Sequence, residues 1–312
     1  MSKAAELAAL IGGTSGSSLS NRNMIINGAM QVAQRGTSFT GITSTIAYRM
    51  DRWQVGFGAA GSNYSITQVT DAPDNFKYSM KWQRTASNAV TNSIWFSQAF
   101  ESINSKVVAG KTCTLSYYAK KGANYSASSS DIQVRIISGT GTDQSATSAI
   151  TAGWTGYATP LSTTQVITTD WVRYTHSVTF ASNVNQISVN LASNSAGTAG
   201  ADDSLYITGV QLEIGEQATP FEHEDFGTTL SRCQRYYEVT GILLVTNLST
   251  MGYPAPTYMV EKRATPNSFS LTIGSGSGGN VAAQSPSTKA GFYQSVVNSV
   301  HTNCEVRVDA EL

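Results

Sequence analysis

The strongest constraint on this chain is a two-residue rhythm that recurs along its first two thirds. Ile132, Val134 and Ile136 alternate with polar residues, and so do Ile187, Val189 and Leu191. A period of two puts every apolar side chain on one face, the pattern of an antiparallel strand with one wet side. The spacing predicts strands over 24–34, 50–58, 63–70, 78–86, 92–101, 112–120, 131–138, 166–180, 185–193 and 203–214. Between them lie turn-forming stretches such as GANYSASSSD and GTGTDQS. Short strands at this spacing with no helix among them predict an all-β chain folded as a jelly-roll β-sandwich.

The segment Ser204–Cys233 divides the chain. Leu205 and Ile207 share one face; after Gly209 the phase slips, and Val210, Leu212 and Ile214 share a face. A one-residue slip at a glycine predicts a β-bulge that bends the strand. The chain then leaves through GEQATPFEHED. Phe226, Leu230, Cys233 and Tyr237 follow at helical spacing, which predicts a helix or turn over 225–238. Further strand-like runs at 237–246, 256–273, 280–284, 290–298 and 303–311 predict a smaller β-domain over 239–312, too small to be stable by itself and so leaning on the sandwich (23–224) or on copies of itself. At the other end, Ala4, Leu7, Ala8 and Ile11 fall on one helical face, and GGTSGSSLSN reads as a linker. A helix this short needs a partner.

Charge excludes some partners. Charged residues make up 13 %, against roughly 25 % in an average soluble domain. Lys+Arg and Asp+Glu are both 20, so the chain lacks the basic surplus that nucleic acid requires. No apolar run approaches the roughly 20 residues of a membrane span, so no membrane insertion is expected. Cys113, Cys233 and Cys304 have no metal-ligand spacing and read as buried thiols.

Catalytic motifs fail one by one. GFGAAG (Gly56–Gly61) and GSGSGG (Gly274–Gly279) match the dinucleotide pattern, but neither opens a helix. There is no nucleophile elbow, and His176, His223 and His301 are scattered. Glu222, His223, Glu224 and Asp225 would suit a divalent ion only as a loop, and read more simply as a solvated exit segment. No enzyme activity is expected, and no cofactor. Trp53, Trp82, Trp95 and Trp171 fall in strands and read as core or sheet-face residues. Trp154 and Tyr157 lie instead in the loop TAGWTGYATPLST. A ring set among hydroxyls suits a sugar, which has an apolar face and a polar rim; the same rings would equally lid the end of the sandwich.

Three blocks carry a resemblance: NMIINGAMQVAQRGTSF (Asn23–Phe39), YRMDRW (Tyr48–Trp53) and GVQLEIGEQATPFEHEDFGTTLSRCQRYYE (Gly209–Glu238). In this order they resemble bacteriophage tail-fibre and appendage proteins, over roughly residues 23–240. KRATPNSFSL (Lys262–Leu271) is similar to a strand seen after them. The resemblance implies a virion protein with a carbohydrate-binding-module-like jelly roll, a homotrimer without enzyme activity. The short N-terminal helix, with Leu7, Leu10 and Ile11, would then anchor the chain to other virion proteins. Glycan contact would fall to Trp154 and Tyr157, and a structural calcium to Asp51 and Glu213. Asp51 and Arg52 would pair with each other or with the closing strand. Attachment to host-surface glycan is one expectation, and a decoration or connector role in capsid, collar or tail is the other. The chain has no long repeat or heptads, and suits a stub or knob better than a shaft.

Overall fold

A computed structural model describes residues 21–43, 46–57, 63–91, 93–127, 129–245, 258–266, 268–272, 275–277, 281–284, 287–289, 292–295 and 300–312. The expected N-terminal helix, with Leu7, Leu10 and Ile11, lies outside the described residues.

In chain order the strands are β1 (Ser38–Ile42), β2 (Ala47–Met50), β3 (Trp53–Phe57), β4 (Tyr64–Val69), β5 (Ser79–Arg84), β6 (Ser93–Ala99), β7 (Thr112–Lys121), β8 (Asp131–Gly139), β9 (Ala158–Val166), β10 (Val172–Thr179), β11 (Gln186–Asn194) and β12 (Ser204–Ile214). They form two antiparallel sheets. The first, sheet A, runs β1-β4-β5-β12-β7-β10; the second, sheet B, runs β2-β3-β6-β11-β8-β9. Partners in sequence sit in opposite sheets: β5 and β6, β12 and β11, β7 and β8, β10 and β9. This crossing from sheet to sheet makes the jelly-roll sandwich.

One core fills the space between the sheets. Ile132, Val134 and Ile136 of β8 and Ile187, Val189 and Leu191 of β11 meet Leu115 and Tyr117 of β7 and Leu205, Ile207, Val210 and Leu212 of β12. Trp53 enters the core stacked on Phe96 at 4.4 Å. Cys113 and Cys233 are buried free thiols, and burial pushes Cys113 up to about 12, which leaves it unreactive.

The bulge in β12 lies where the phase slips. Pairing with β7 shifts between Thr208 and Gln211, and Gly209 has φ +59°. A Cβ there would lie 2.7 Å from the Phe76 ring and 2.8 Å from Tyr118, so both the backbone and the packing require glycine.

The 24–34 segment is not a strand. It is a buried loop docked on β12, with Asn27 and Met30 at positive φ. Its apolar residues Ile25, Ile26, Met30 and Val32 point inward as a strand's would, but amide side chains replace the ladder. Asn23 accepts from Leu212 N–H and donates to Val210 C=O, and Gln98 both accepts from and donates to Ile26. Three further strands went unforeseen, the first being β1, an edge strand paired with β4. β2 turns directly into β3 through Asp51 and Arg52, and β9 occupies most of the stretch read as a loop before residue 166.

After β12 comes helix α3 (Phe226–Gln234), capped by Asp225, which accepts from Thr228 N–H at 2.9 Å; α1 (Ser102–Ser105) and α2 (Ala146–Ile150) are short turns within the sandwich. β13 (Tyr237–Val245) pairs with β18 (Val300–Asp309). β18 also takes β14 (Ser268–Thr272) and β15 (Ser275–Ser277), and β16 (Val281–Gln284) pairs with β17 (Phe292–Ser295). Arginines fix the end of β18 to the sandwich. Arg35 donates to Asp309 and Glu311, and Arg52 pairs with Glu311 while lying 3.5 Å from the Tyr236 ring centre. Arg52, at φ +70° and 1 % exposed, is thus held by Glu311 and by Ala99 C=O, and Asp51 by Gln34, rather than by each other or by β12, the strand that closes the sandwich.

Candidate functional site

Sheet B has a second face, turned away from the core. Residues paired across neighbouring strands share a face, so the register lays it out in rows. The first row, Ala99, Ser188 and Ile137, is covered by α2 and by Trp154, which cluster with Ala99 and Ile137. The next row is polar and crosses five strands: Gln54, Ser97, Asn190, Arg135 and Ser162. Beyond it lie Gly56, Trp95, Ala192, Gln133 and Thr164. At a strand spacing of about 4.8 Å, each of the two five-strand rows is roughly 19 Å long.

The polar row is unusual in its hydrogen bonding. Asn190 is 0 % exposed, yet neither its Oδ1 nor its Nδ2 has a partner in the protein. Ser97 Oγ, Gln54 Oε1, Arg135 Nε and Trp95 Nε1 are also buried without partners. Only the other end of Gln54 is used, its Nε2 donating to Thr147 Oγ1 of α2 at 3.1 Å. A buried polar group left unpaired costs about 1–3 kcal/mol, and such groups are few in a folded protein. Here six such atoms lie within two adjacent rows of one face.

Trp95 lies against the sheet because Gly56 lets it. A Cβ on Gly56 would sit 2.3 Å from the indole nitrogen and 2.5–2.7 Å from the adjoining ring carbons. Glycine opposite and alanine (Ala192) on the other flank leave a bed on which the ring lies, half-buried. The site therefore combines an aromatic platform with neutral donors and acceptors and one guanidinium.

The residues singled out from sequence are placed otherwise. Trp154 is 4 % exposed, its Nε1 donates to Ser145 C=O, and its ring is packed among Ala99, Ile137, Ala146 and Ala149. It has no free face for a sugar and instead roofs one end of the polar face, with Tyr157 packed beside it. The two carboxylates named for calcium stand apart. Asp51 accepts from Gln34 N–H and Nε2, and Glu213 accepts from Thr219 N–H and Oγ1 and from Gln211 Nε2. Both carboxylates are occupied by protein donors in separate networks. Among the described residues no group of three or more His, Cys, Asp or Glu is arranged to hold a metal ion. The 222–225 cluster is likewise dispersed: Glu222 accepts from Asn23 N–H, Glu224 pairs with Arg232, and Asp225 caps α3. His176 packs on Tyr117 below the sheet, and burial lowers its pKa.

The signal for Trp95 was in its strand. In SIWFSQA the apolar phase is Ile94 and Phe96, so Trp95 falls with Ser93 and Ser97 on the opposite face. A tryptophan out of phase with the core, between serines, marks a surface with a use for it.

No family profile and no curated sequence matches the chain. Solved structures similar to it include carbohydrate-binding modules of the β-sandwich superfamily (TM-score 0.37, 14 % identity, 55 % of this chain and 62 % of that one). A CBM4 structure matches at TM-score 0.35 and 16 % identity, over 61 % of this chain and 98 % of that one. The enzymatically active domain of tailspike protein 4 of bacteriophage CBA120 matches at TM-score 0.37 and 12 % identity, over 62 % of this chain and 22 % of that one. The chain thus spans less than two thirds of the first and about a fifth of the last.

Proposed function

We propose that this chain is a glycan-binding protein of a phage appendage, and that it binds through the outward face of sheet B. The observation that carries the binding half is Asn190, fully buried with both amide atoms unpartnered, in a row with Ser97, Gln54 and Arg135. Sugar hydroxyls both donate and accept, so a ligand that shifts the side chains over this row would satisfy it, while the apolar face of a pyranose would lie on the half-buried Trp95. The protein's role in this reaction-free recognition is to hold the groups still: they project from the middle strands of a six-stranded sheet, and Gly56 fixes the platform.

The virion half rests on the three sequence blocks that resemble tail-fibre and appendage proteins. In this reading the chain is a trimer, made in the host cytoplasm and carried on the particle. Its first residues, with Leu7, Leu10 and Ile11, anchor it to other virion proteins. Several copies on one particle would turn weak single sites into firm attachment.

The test is competition for adsorption. Purified protein, confirmed as folded and oligomeric, is added to host cells before intact phage. Dose-dependent blocking by the wild type, lost in Trp95→Ala, supports the proposal. A folded wild type that neither blocks adsorption nor retains any glycan would overturn it, and would favour a connector or decoration role.

A further inference from the structure

We infer that the glycan taken by this face is acidic, and that Arg135 binds its carboxylate; this rests on the glycan-binding reading above. Among the described arginines, Arg135 is the one with no hydrogen bond, ion pair or ring contact of any kind. Arg35, Arg52, Arg84, Arg232, Arg235 and Arg307 each meet a carboxylate. Arg22, Arg173 and Arg263 donate to hydroxyl or carbonyl oxygens, and Arg49 is also in contact.

Arg135 is half-buried, and its Nε is fully covered without an acceptor. Its row neighbours Asn190 and Ser162 are neutral. On this face the described strands carry one carboxylate, Asp131, four residues along β8 and so about 13 Å away. A partly desolvated cation without a counter-charge lowers stability unless a ligand brings one. The planar guanidinium presents parallel N–H groups that fit a carboxylate in two-point contact.

The geometry also bears on ligand length. Arg135 and Trp95 stand two strands and one row apart, roughly 12 Å at the usual sheet spacings. That backbone spacing suits an oligosaccharide, with one unit on Trp95 and an acidic unit at Arg135.

The experiment uses the full chain, wild type and Arg135→Gln, on an array of uronic-acid-containing, sulfated and neutral oligosaccharides of matched backbone, in low and high salt. The expected result is retention of the carboxylated members about tenfold above the neutral ones, weakened by salt and abolished in Arg135→Gln. Equal retention of acidic and neutral members, or a preference that survives Arg135→Gln, overturns the acidic assignment while the glycan site stands. Retention of sulfated but not carboxylated members overturns the carboxylate. A folded wild type that holds no member of the array, with Trp95→Ala no different, removes the glycan reading itself.

Discussion

The two outward faces of the sandwich are built from the same kinds of side chain and treated in opposite ways. On sheet A, Lys120 bonds Asp71 and lies 4.8 Å from the Tyr206 ring centre, Trp171 Nε1 donates to Asp71, and Gln211 and Glu213 bond each other and Thr219. Phe76, Tyr118, Phe221 and His223 line a groove of about 570 Å³ there, but Phe76 packs on each of the other three at 4.9–5.3 Å, and Arg173 is held by Ser116 and Thr219. On sheet B, tryptophan, asparagine, serine and arginine stand in rows with their polar atoms unspent. On the first face most polar groups are met, Arg173 Nε being an exception. The second is stable only at a cost, and a protein that keeps such a cost commonly recovers it in binding.

The comparison is sharpest between two arginines. Arg84 stands on sheet A but on the inward phase of β5, with Met80 and Trp82; it is 1 % exposed and bonds Asp203, Ser126 and the carbonyls of Asn88, Val90 and Gly197. Removing it leaves Asp203 buried without its partner, so Arg84→Ala should lower stability by about 3–5 kcal/mol. Arg135→Gln removes a partly desolvated charge that meets no counter-charge, so it should match the wild type or gain up to about 0.5 kcal/mol. Urea unfolding of both variants measures this, and equal losses would erase the distinction drawn here.

The next pair sets aromatic against aromatic. Trp95→Ala should weaken glycan retention at least tenfold, on the order of 2 kcal/mol for a central aromatic contact. Trp171→Ala, on the other face, should leave retention unchanged. A smaller effect of opposite sign is expected at Asn190. Asn190→Leu keeps the volume and removes two unpaired polar atoms, so it should gain about 1 kcal/mol and raise the melting temperature by about 2–4 °C while abolishing binding. A destabilised Asn190→Leu would mean the amide has a partner after all.

How far all this was legible in the sequence depended on whether the cause was local. The alternation in β8 and β11 and the slip at Gly209 are properties of neighbouring residues, and the strands and bulge followed from them. β9 was hidden because ATPLSTTQV has one apolar residue turned to the core side, Leu161, in an edge strand that tolerates Pro160. The 24–34 loop was misread because its apolar residues keep a strand-like spacing, while the hydrogen bonds come from Asn23, Asn27 and Gln98, which are joined only by the fold. Trp154 was chosen for the composition of its loop, and composition does not say which way a ring turns. Asn190 and Arg135 could be placed on the outward face by phase alone. That this face lacks partners is a fact about five strands together, and no single strand contains it.

Gly56 permits the finest test of whether the platform is built or incidental. It pairs with Trp95 across the β3–β6 ladder, and the indole occupies the space above its Cα. A methyl group there would meet the ring at 2.3 Å, so Gly56→Ala must tilt Trp95 off the sheet. The strand has no need of glycine for its own sake, since alanine suits a pleated backbone as well or better. Any stability lost, about 1–2 kcal/mol, should therefore come from the displaced ring alone, and Gly56→Ala in a Trp95→Ala background should cost almost nothing. Glycan retention should fall in Gly56→Ala by about as much as in Trp95→Ala, with no further loss in the double variant. Tryptophan fluorescence checks the cause independently, because a ring lifted off Gly56 becomes more exposed and its emission shifts to the red. If Gly56→Ala binds as the wild type does while that emission shifts, the flat ring is packing and not a platform. The polar row would then have to recognise its ligand without it.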